Sequence, residues 1–172
     1  MRKVVLVGYM GSGKSVLAKK LADKLNVSCL EMDNLIEKKA KMSIKNIFSE
    51  KGELFFRKLE HQLFIEKMKS DETFVLSTGG GTPCYFNNHE LLKDENCVSI
   101  YLQASIGTLY SRLNQQKENR PLLAQLNGDE LKEFIAKHLF ERSYFYNQAK
   151  HKIVVDNKSI EEIVFEIEKL LF

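Results

Sequence analysis

The chain has 172 residues, 44% of them hydrophobic and 28% charged, with a net charge of +3. That length suits one globular domain with its own core, and so small a charge leaves no polybasic tail for nucleic acid and no patch for a membrane surface. Three cysteines without C-x-x-C spacing (Cys29, Cys84, Cys97) and four histidines without ligand-like spacing (His61, His89, His138, His151) argue against a disulfide scaffold or a zinc site; buried or half-buried free thiols and surface or packing histidines are expected instead.

The N-terminus, Met1-Arg2-Lys3-Val4-Val5-Leu6-Val7, has a basic start before an apolar run, but Gly8 ends that run after four apolar residues. This is too short for a secretory core segment, and no later run could span a bilayer, so a cytoplasmic protein is expected. Residues 4–7 read as a first strand. Leu17, Leu21 and Leu25 then recur at i+4 with Lys19, Lys20 and Lys24 turned outward, the pattern of a surface helix with one buried stripe. Residues 28–32 form a second strand by their place between two helices, despite their polar content. A helical segment over 53–69, strands at 74–76, 98–102 and 153–155, and a last helix over 159–171 complete the series; Ser159 and Glu162 suit a capping box. The least regular stretch, 114–128, is polar and rich in Gln and Asn: either a mobile cover over a site or a plain solvated loop. Short apolar runs alternating with helices predict an α/β fold, three layers with a central parallel sheet of about five strands flanked by helices.

Gly8-Tyr9-Met10-Gly11-Ser12-Gly13-Lys14-Ser15 fills G-x-x-x-x-G-K-[ST] at every fixed position. The glycines let backbone N–H groups wrap a polyphosphate, and the helix starting there adds the positive end of its dipole. Lys14 reaches the outer phosphates, and Ser15 supplies a hydroxyl to Mg²⁺. Gly11, Ser12, Gly13, Lys14, Ser15 and Val16 are therefore the phosphate-binding candidates. The strand before the motif and the helix after it are the context it requires. The loop does not choose the acceptor, because GTPases, ATPases and kinases share it.

Further clusters follow. Asp33 precedes Asn34-Leu35-Ile36-Glu37, where a carboxylate can cap a helix or serve a ligand beside the phosphate loop. Arg57 lies next to Phe55, Phe56 and Leu59, so its charge emerges from an apolar stripe; there it can hold a carboxylate bidentately or merely face solvent. Glu60, at i+3, can orient it by ion pairing. Gly79-Gly80-Gly81 directly follows a strand and lets backbone N–H groups approach a ligand. Arg120 stands before Pro121 in the polar stretch, from which a closing lid would carry it to a transferring phosphoryl group.

In this order, Glu31-Met32-Asp33, Phe56-Arg57-Lys58-Leu59-Glu60, Gly79-Gly80-Gly81 and Asn119-Arg120-Pro121-Leu122-Leu123 with Arg142 resemble shikimate kinase. The Gly-x-Met-Gly-x-Gly-Lys-Ser form of the loop, Asp33 with Ile36-Glu37 three residues on, and Ile47-Phe48 before Gly52-Glu53 extend the resemblance over practically the whole chain. It implies a single P-loop kinase domain over 1–172, a lid at about 113–125 and a substrate-binding helical segment at about 33–61. It implies ATP-dependent phosphorylation of the shikimate 3-hydroxyl, in the route to chorismate and the aromatic amino acids, by a monomer that uses Mg²⁺ with ATP as co-substrate. By the same resemblance Asp33 accepts the hydroxyl proton, Lys14 and Arg120 serve the transferring group, and Arg112 stacks on adenine. Arg57, Arg142 and Gly79 to Gly81 hold shikimate, with Glu60 behind Arg57; Ser77 and Thr78 lie near the metal and phosphates. The chain departs from the family pattern at Glu31, where an aspartate usually meets Mg²⁺; at Ser143-Tyr144-Phe145 before Tyr146, where a proline and a leucine are usual; and at Thr82-Pro83-Cys84. Its rivals are a gluconate or nucleoside monophosphate kinase and, from another class, a nucleotide-dependent switch without acceptor chemistry. Asp33, the arginine pair and the triple glycine favour an acceptor carrying both carboxylate and hydroxyl groups.

Overall fold

A computed structural model describes residues 3–172, with the backbone alone for Asn119 and Pro121; Met1 and Arg2, the basic start of the N-terminal run, lie outside the described residues. The apolar runs form strands β1 (Lys3–Val7), β2 (Ser28–Glu31), β3 (Phe74–Ser77), β4 (Cys97–Gln103) and β5 (His151–Val154). They make one sheet in the order β2-β3-β1-β4-β5, every neighbouring pair parallel. β1 and β3 are buried at every position and β4 at all but Gln103, as continuous apolar strands between two helical layers must be. β2 and β5 are the edges, which is why Ser28, Cys29 and Lys152 are exposed within them. The chain leaves β1 in one direction along the sheet and β3 in the other, so a crevice opens at the carboxyl ends of the central strands.

The helices are α1 (Lys14–Leu25), α2 (Met32–Ala40), α3 (Ile44–Glu50), α4 (Glu53–Lys69), α5 (Ile106–Gln116), α6 (Pro121–Ala124), α7 (Gly128–Tyr146) and α8 (Ile160–Leu171). Leu17 and Leu21 of α1 are buried, so the helix that follows the phosphate loop is locked to the sheet. Ser159 and Glu162 close the expected capping box on α8, and Asn127 with Glu130 forms a second one on α7. α1 differs: Gly13 stands at its N-cap with no side-chain cap, leaving its first N–H groups to the crevice.

Several expectations are corrected, and one alternative is removed. The stretch 114–128 is not an irregular loop: α5 runs to Gln116, a 3₁₀ turn covers Lys117–Asn119, and α6 tucks Leu123 into the core at 1% exposure. A single buried anchor in a polar run gives no periodicity to read. Asp33 is not an N-cap. Glu31 occupies that position and Met32 is already helical, so Asp33 lies inside the first turn and β2 stops at Glu31. Cys29 is exposed rather than buried, because its strand is an edge. Val155 falls just past β5, although its N–H still donates to the Gln103 carbonyl at 2.9 Å. No helix among the described residues is long and apolar enough to cross a membrane.

Candidate active site

The phosphate loop is a tight turn. The Ser12 N–H donates to the Tyr9 carbonyl at 3.1 Å, and Lys14 Nζ donates to the carbonyls of Gly8 (2.6 Å) and Tyr9 (3.0 Å). Burial pushes the Lys14 ammonium down to about 7; Arg142 and Arg120 add to the effect, while Asp33 and Glu31 oppose it. An anionic ligand would restore its charge. Arg112 Nη1 donates to the Gly11 carbonyl at 3.0 Å, and Arg120 Nη1 lies 3.7 Å from Met10 Sδ, so two guanidinium groups stand over the loop. Ser15 Oγ donates to Glu31 Oε2 at 3.1 Å, with Ser77 Oγ 3.5 Å away. Thr78 instead turns its hydroxyl to the Leu6 carbonyl (2.9 Å), a link between β3 and β1.

Among the described residues, no group of three or more His, Cys, Asp or Glu could hold a metal ion alone. The hard oxygens of Ser15 and Glu31 at the loop's exit nevertheless fit Mg²⁺, which takes few protein ligands and keeps phosphate oxygens and water for the rest. The longer Glu31 side chain brings its carboxylate within hydrogen-bond reach of the Ser15 hydroxyl.

The opposite side of the crevice is built on α4. Arg57 Nη1 donates to Glu60 Oε1 at 2.9 Å, and its side chain is only 11% exposed. Its guanidinium lies 4.1 Å from the centre of the Tyr85 ring and 5.0 Å from that of Phe56. Nε is 3.5 Å from Glu53 Oε1, an ion-pair distance without hydrogen-bond alignment. Phe55 faces solvent, so the apolar surround of the guanidinium is the rings of Phe56 and Tyr85. Glu60 is buried, which raises its carboxyl against the opposing pull of Arg57 and Thr82. Its second oxygen accepts from Thr82 Oγ1 at 2.8 Å. Asn88 Nδ2 in turn donates to the Thr82 carbonyl (2.9 Å), which leaves Asn88 Oδ1 to accept from His61 Nδ1 at 2.6 Å. The atypical Thr82-Pro83-Cys84 therefore forms a 3₁₀ turn that props the Arg57 partner.

Gly79, Gly80 and Gly81 are required for space rather than for a left-handed backbone. A Cβ on Gly81 would lie 2.6 Å from Arg57 Nη1, and one on Gly80 would lie 3.1 Å from Arg142 Nη1. One on Gly79 would lie 3.2 Å from Glu60 Oε2 and 3.5 Å from Asp33 Oδ1. Tyr146 donates to the Gly80 carbonyl at 2.6 Å and fixes the loop against α7. Burial raises the Asp33 carboxyl, with Lys14 opposing and Glu37 reinforcing.

One cleft of about 640 Å³ takes in the phosphate loop, Glu31, Asp33, Arg57, Glu60, the three glycines, Arg112, Arg120 and Arg142. Every candidate read from the sequence thus lines one space. Val16 stands at its rim on the exposed first turn of α1, and Lys158, Ile160 and Ile163 also line it. Those three were missed, as were Tyr9, hidden at a variable position of the motif, and His138. The last sits one helical turn before Arg142, a spacing that could have flagged it.

The chain has relatives over its whole length. A family model for shikimate kinase matches residues 10–171. The chain is 53% identical over 171 residues to the shikimate kinase of Flavobacterium johnsoniae, covering 99% of each. Among solved structures it is similar to a shikimate kinase from Bacteroides thetaiotaomicron, with a TM-score of 0.90 and 36% identity over 99% of this chain and 98% of that one. The shikimate kinase from Acinetobacter baumannii, solved in complex with shikimate, gives a TM-score of 0.87 and 30% identity over 99% and 93%. Family match, full-length sequence likeness and fold agree, and the chain belongs to the shikimate kinase family.

Proposed function

We propose that this chain transfers the terminal phosphoryl group of ATP to the 3-hydroxyl of shikimate, releasing shikimate 3-phosphate and ADP. The observation that carries the reading is the convergence of Arg57 and Arg142 on Gly81 and Gly80, beside Asp33 and open to Lys14. Two planar guanidinium groups on a backbone stripped of side chains make a bidentate carboxylate grip.

Nucleotide phosphates take the loop N–H groups and the uncapped start of α1. Lys14 exchanges its two loop carbonyls for phosphate oxygens. Arg112 faces the adenine at the rim of the cleft that Lys158 and Ile160 also line. Asp33 accepts a hydrogen bond from the 3-hydroxyl and takes its proton as that oxygen bonds to the terminal phosphorus; the bond from phosphorus to the bridging oxygen breaks, and ADP leaves with the electron pair. Its raised pKa makes Asp33 a stronger base than an exposed carboxylate. Ser15 and Glu31 would hold Mg²⁺, which when bound neutralises charge on the outer phosphates. The segment 113–125 closes over the substrates, bringing Arg120 to the transferring group and excluding water that would otherwise be phosphorylated in its place. The reading includes a single domain acting as a monomer in the cytoplasm, for which one sedimenting species at the mass of one chain is expected.

The test is ADP release measured with shikimate, quinate, gluconate and AMP as separate acceptors. Turnover confined to shikimate is expected, and turnover with AMP or gluconate but not shikimate would overturn the assignment. Asp33→Asn should abolish transfer while ATP still binds. Arg57→Ala should weaken shikimate binding by roughly 2–5 kcal/mol, since a buried charge loses its grip; an unchanged shikimate KM would contradict the clamp.

A further inference from the structure

α7 touches the phosphate loop through more than Arg142. The Tyr9 phenol and His138 Nδ1 are hydrogen-bonded at 3.0 Å, with the rings edge to face at 5.5 Å, and Tyr9 is 1% exposed. His138 lines the cleft and packs on Phe134, one turn earlier, at 5.1 Å. Arg142, one turn later, has its guanidinium 6.0 Å from the Tyr9 ring. The backbone carbonyl of Tyr9 meanwhile accepts from Lys14. One residue of the loop therefore meets the ammonium, the imidazole and the guanidinium.

We propose that the Tyr9–His138 hydrogen bond is a latch that fixes α7, and with it Arg142, at a set distance from the phosphate loop, so that the carboxylate grip and phosphoryl transfer stay in register. This rests on reading Arg142 as part of that grip. An apolar pair would fill the same space yet could slide, whereas a hydrogen bond limits both distance and angle. Both partners are neutral near pH 7. Burial pushes the phenol up to about 12 against Arg142 and Arg120; burial, then Arg142, push the imidazole down, with Glu141 opposing and Arg57 adding. Tyr9 and His138 are positioning residues that act through Arg142.

The test is a double-mutant cycle on the full chain. Tyr9→Phe removes one oxygen, His138→Leu removes the partner nitrogen, and His138→Asn returns a polar atom near the Nδ1 position. Each of the first two should lower kcat/KM for shikimate by roughly three- to tenfold, the scale of one hydrogen bond. The double variant should be no worse than either single one, His138→Asn should recover most of the loss, and KM for ATP should stay unchanged. Independent, multiplying losses, or equal losses for ATP and shikimate with a lowered Tm, would reduce the contact to ordinary packing and overturn the latch. Arg142→Ala separates the two readings. A raised shikimate KM there, with Tyr9→Phe unaffected, sinks the latch alone; an unchanged KM in Arg142→Ala sinks the grip on which it rests.

Discussion

Lys14 is where the demands of ligand and fold conflict. Its pKa falls from 10.5 to about 7 on folding, chiefly through burial. Between those values the unfolded chain binds a proton that the folded chain does not, so stability rises with pH across that window; below about pH 7 both states are protonated and the penalty applies in full. Lys14→Met should therefore abolish turnover yet raise Tm at about pH 6–7, the gain shrinking as the pH approaches about 10. Thermal scans of both proteins across that range check it, and a variant less stable at pH 7 would mean that the bonds to the Gly8 and Tyr9 carbonyls outweigh the burial. Thr82 poses the reverse case. It donates to the buried Glu60, whose other oxygen holds Arg57. Thr82→Val leaves that carboxylate oxygen without its donor, which should cost about 1–3 kcal/mol of stability and raise the shikimate KM as Arg57 loosens. Loss of stability with an unchanged KM would show that Glu60 alone suffices to set the guanidinium.

The turns after β1 and β3 use glycine for different purposes, and the difference is measurable. A Cβ on Gly8 would lie 2.8 Å from the Leu102 carbonyl, backbone of the neighbouring strand β4 that cannot give way. On Gly81 the obstacle is the end of the Arg57 side chain, which can swing aside. Gly8→Ala should lower Tm sharply; Gly81→Ala, which draws Arg57 off the buried Glu60, should lower Tm less and raise the shikimate KM by about tenfold or more, since each 1.4 kcal/mol of lost grip is tenfold. An unfolded Gly81→Ala protein, or one with normal KM, would remove that distinction. The same elements divide what the sequence reveals from what it hides. The phosphate loop is a local pattern between a local strand and a local helix, so spacing alone exposes it. The central strands are equally plain, because burial on both faces demands unbroken apolar runs. α6 is not, since Leu123 is its buried anchor, Leu122 beside it faces solvent, and one buried residue makes no period. The pairing of Thr82 with Glu60, or of Tyr9 with His138, leaves no trace in spacing either, although the turn between His138 and Arg142 marks one partner. Strand order brings them together, and until it is known the partner of a histidine on α7 cannot be read.

That strand order also governs how the molecule as a whole responds to its ligands. Arg57 on α4, the glycine run after β3 and Arg142 on α7 meet only above the carboxyl ends of β1 and β3, while Lys14 opens α1 just past the loop after β1. An acceptor held by both arginines ties α4 to α7 across the sheet, and a nucleotide ties α1 to the covering segment. Each ligand should thus stabilise the whole fold by mass action, about 2.7 kcal/mol at 100 times its Kd. For a chain of this size each kcal/mol moves Tm by roughly 2–4 °C, so shifts of roughly 5–11 °C are expected. The losses should cross. Arg57→Ala and Arg142→Ala should forfeit the shikimate shift and keep that of ATP, and Lys14→Met should do the opposite. An Arg142→Ala protein that retains the full shikimate shift would take Arg142 out of the grip. Loss of both shifts in every variant would mean instead that the two halves of the cleft do not bind separately, because the contact of Tyr9 with both Lys14 and α7 would then couple them too tightly for either ligand to bind alone.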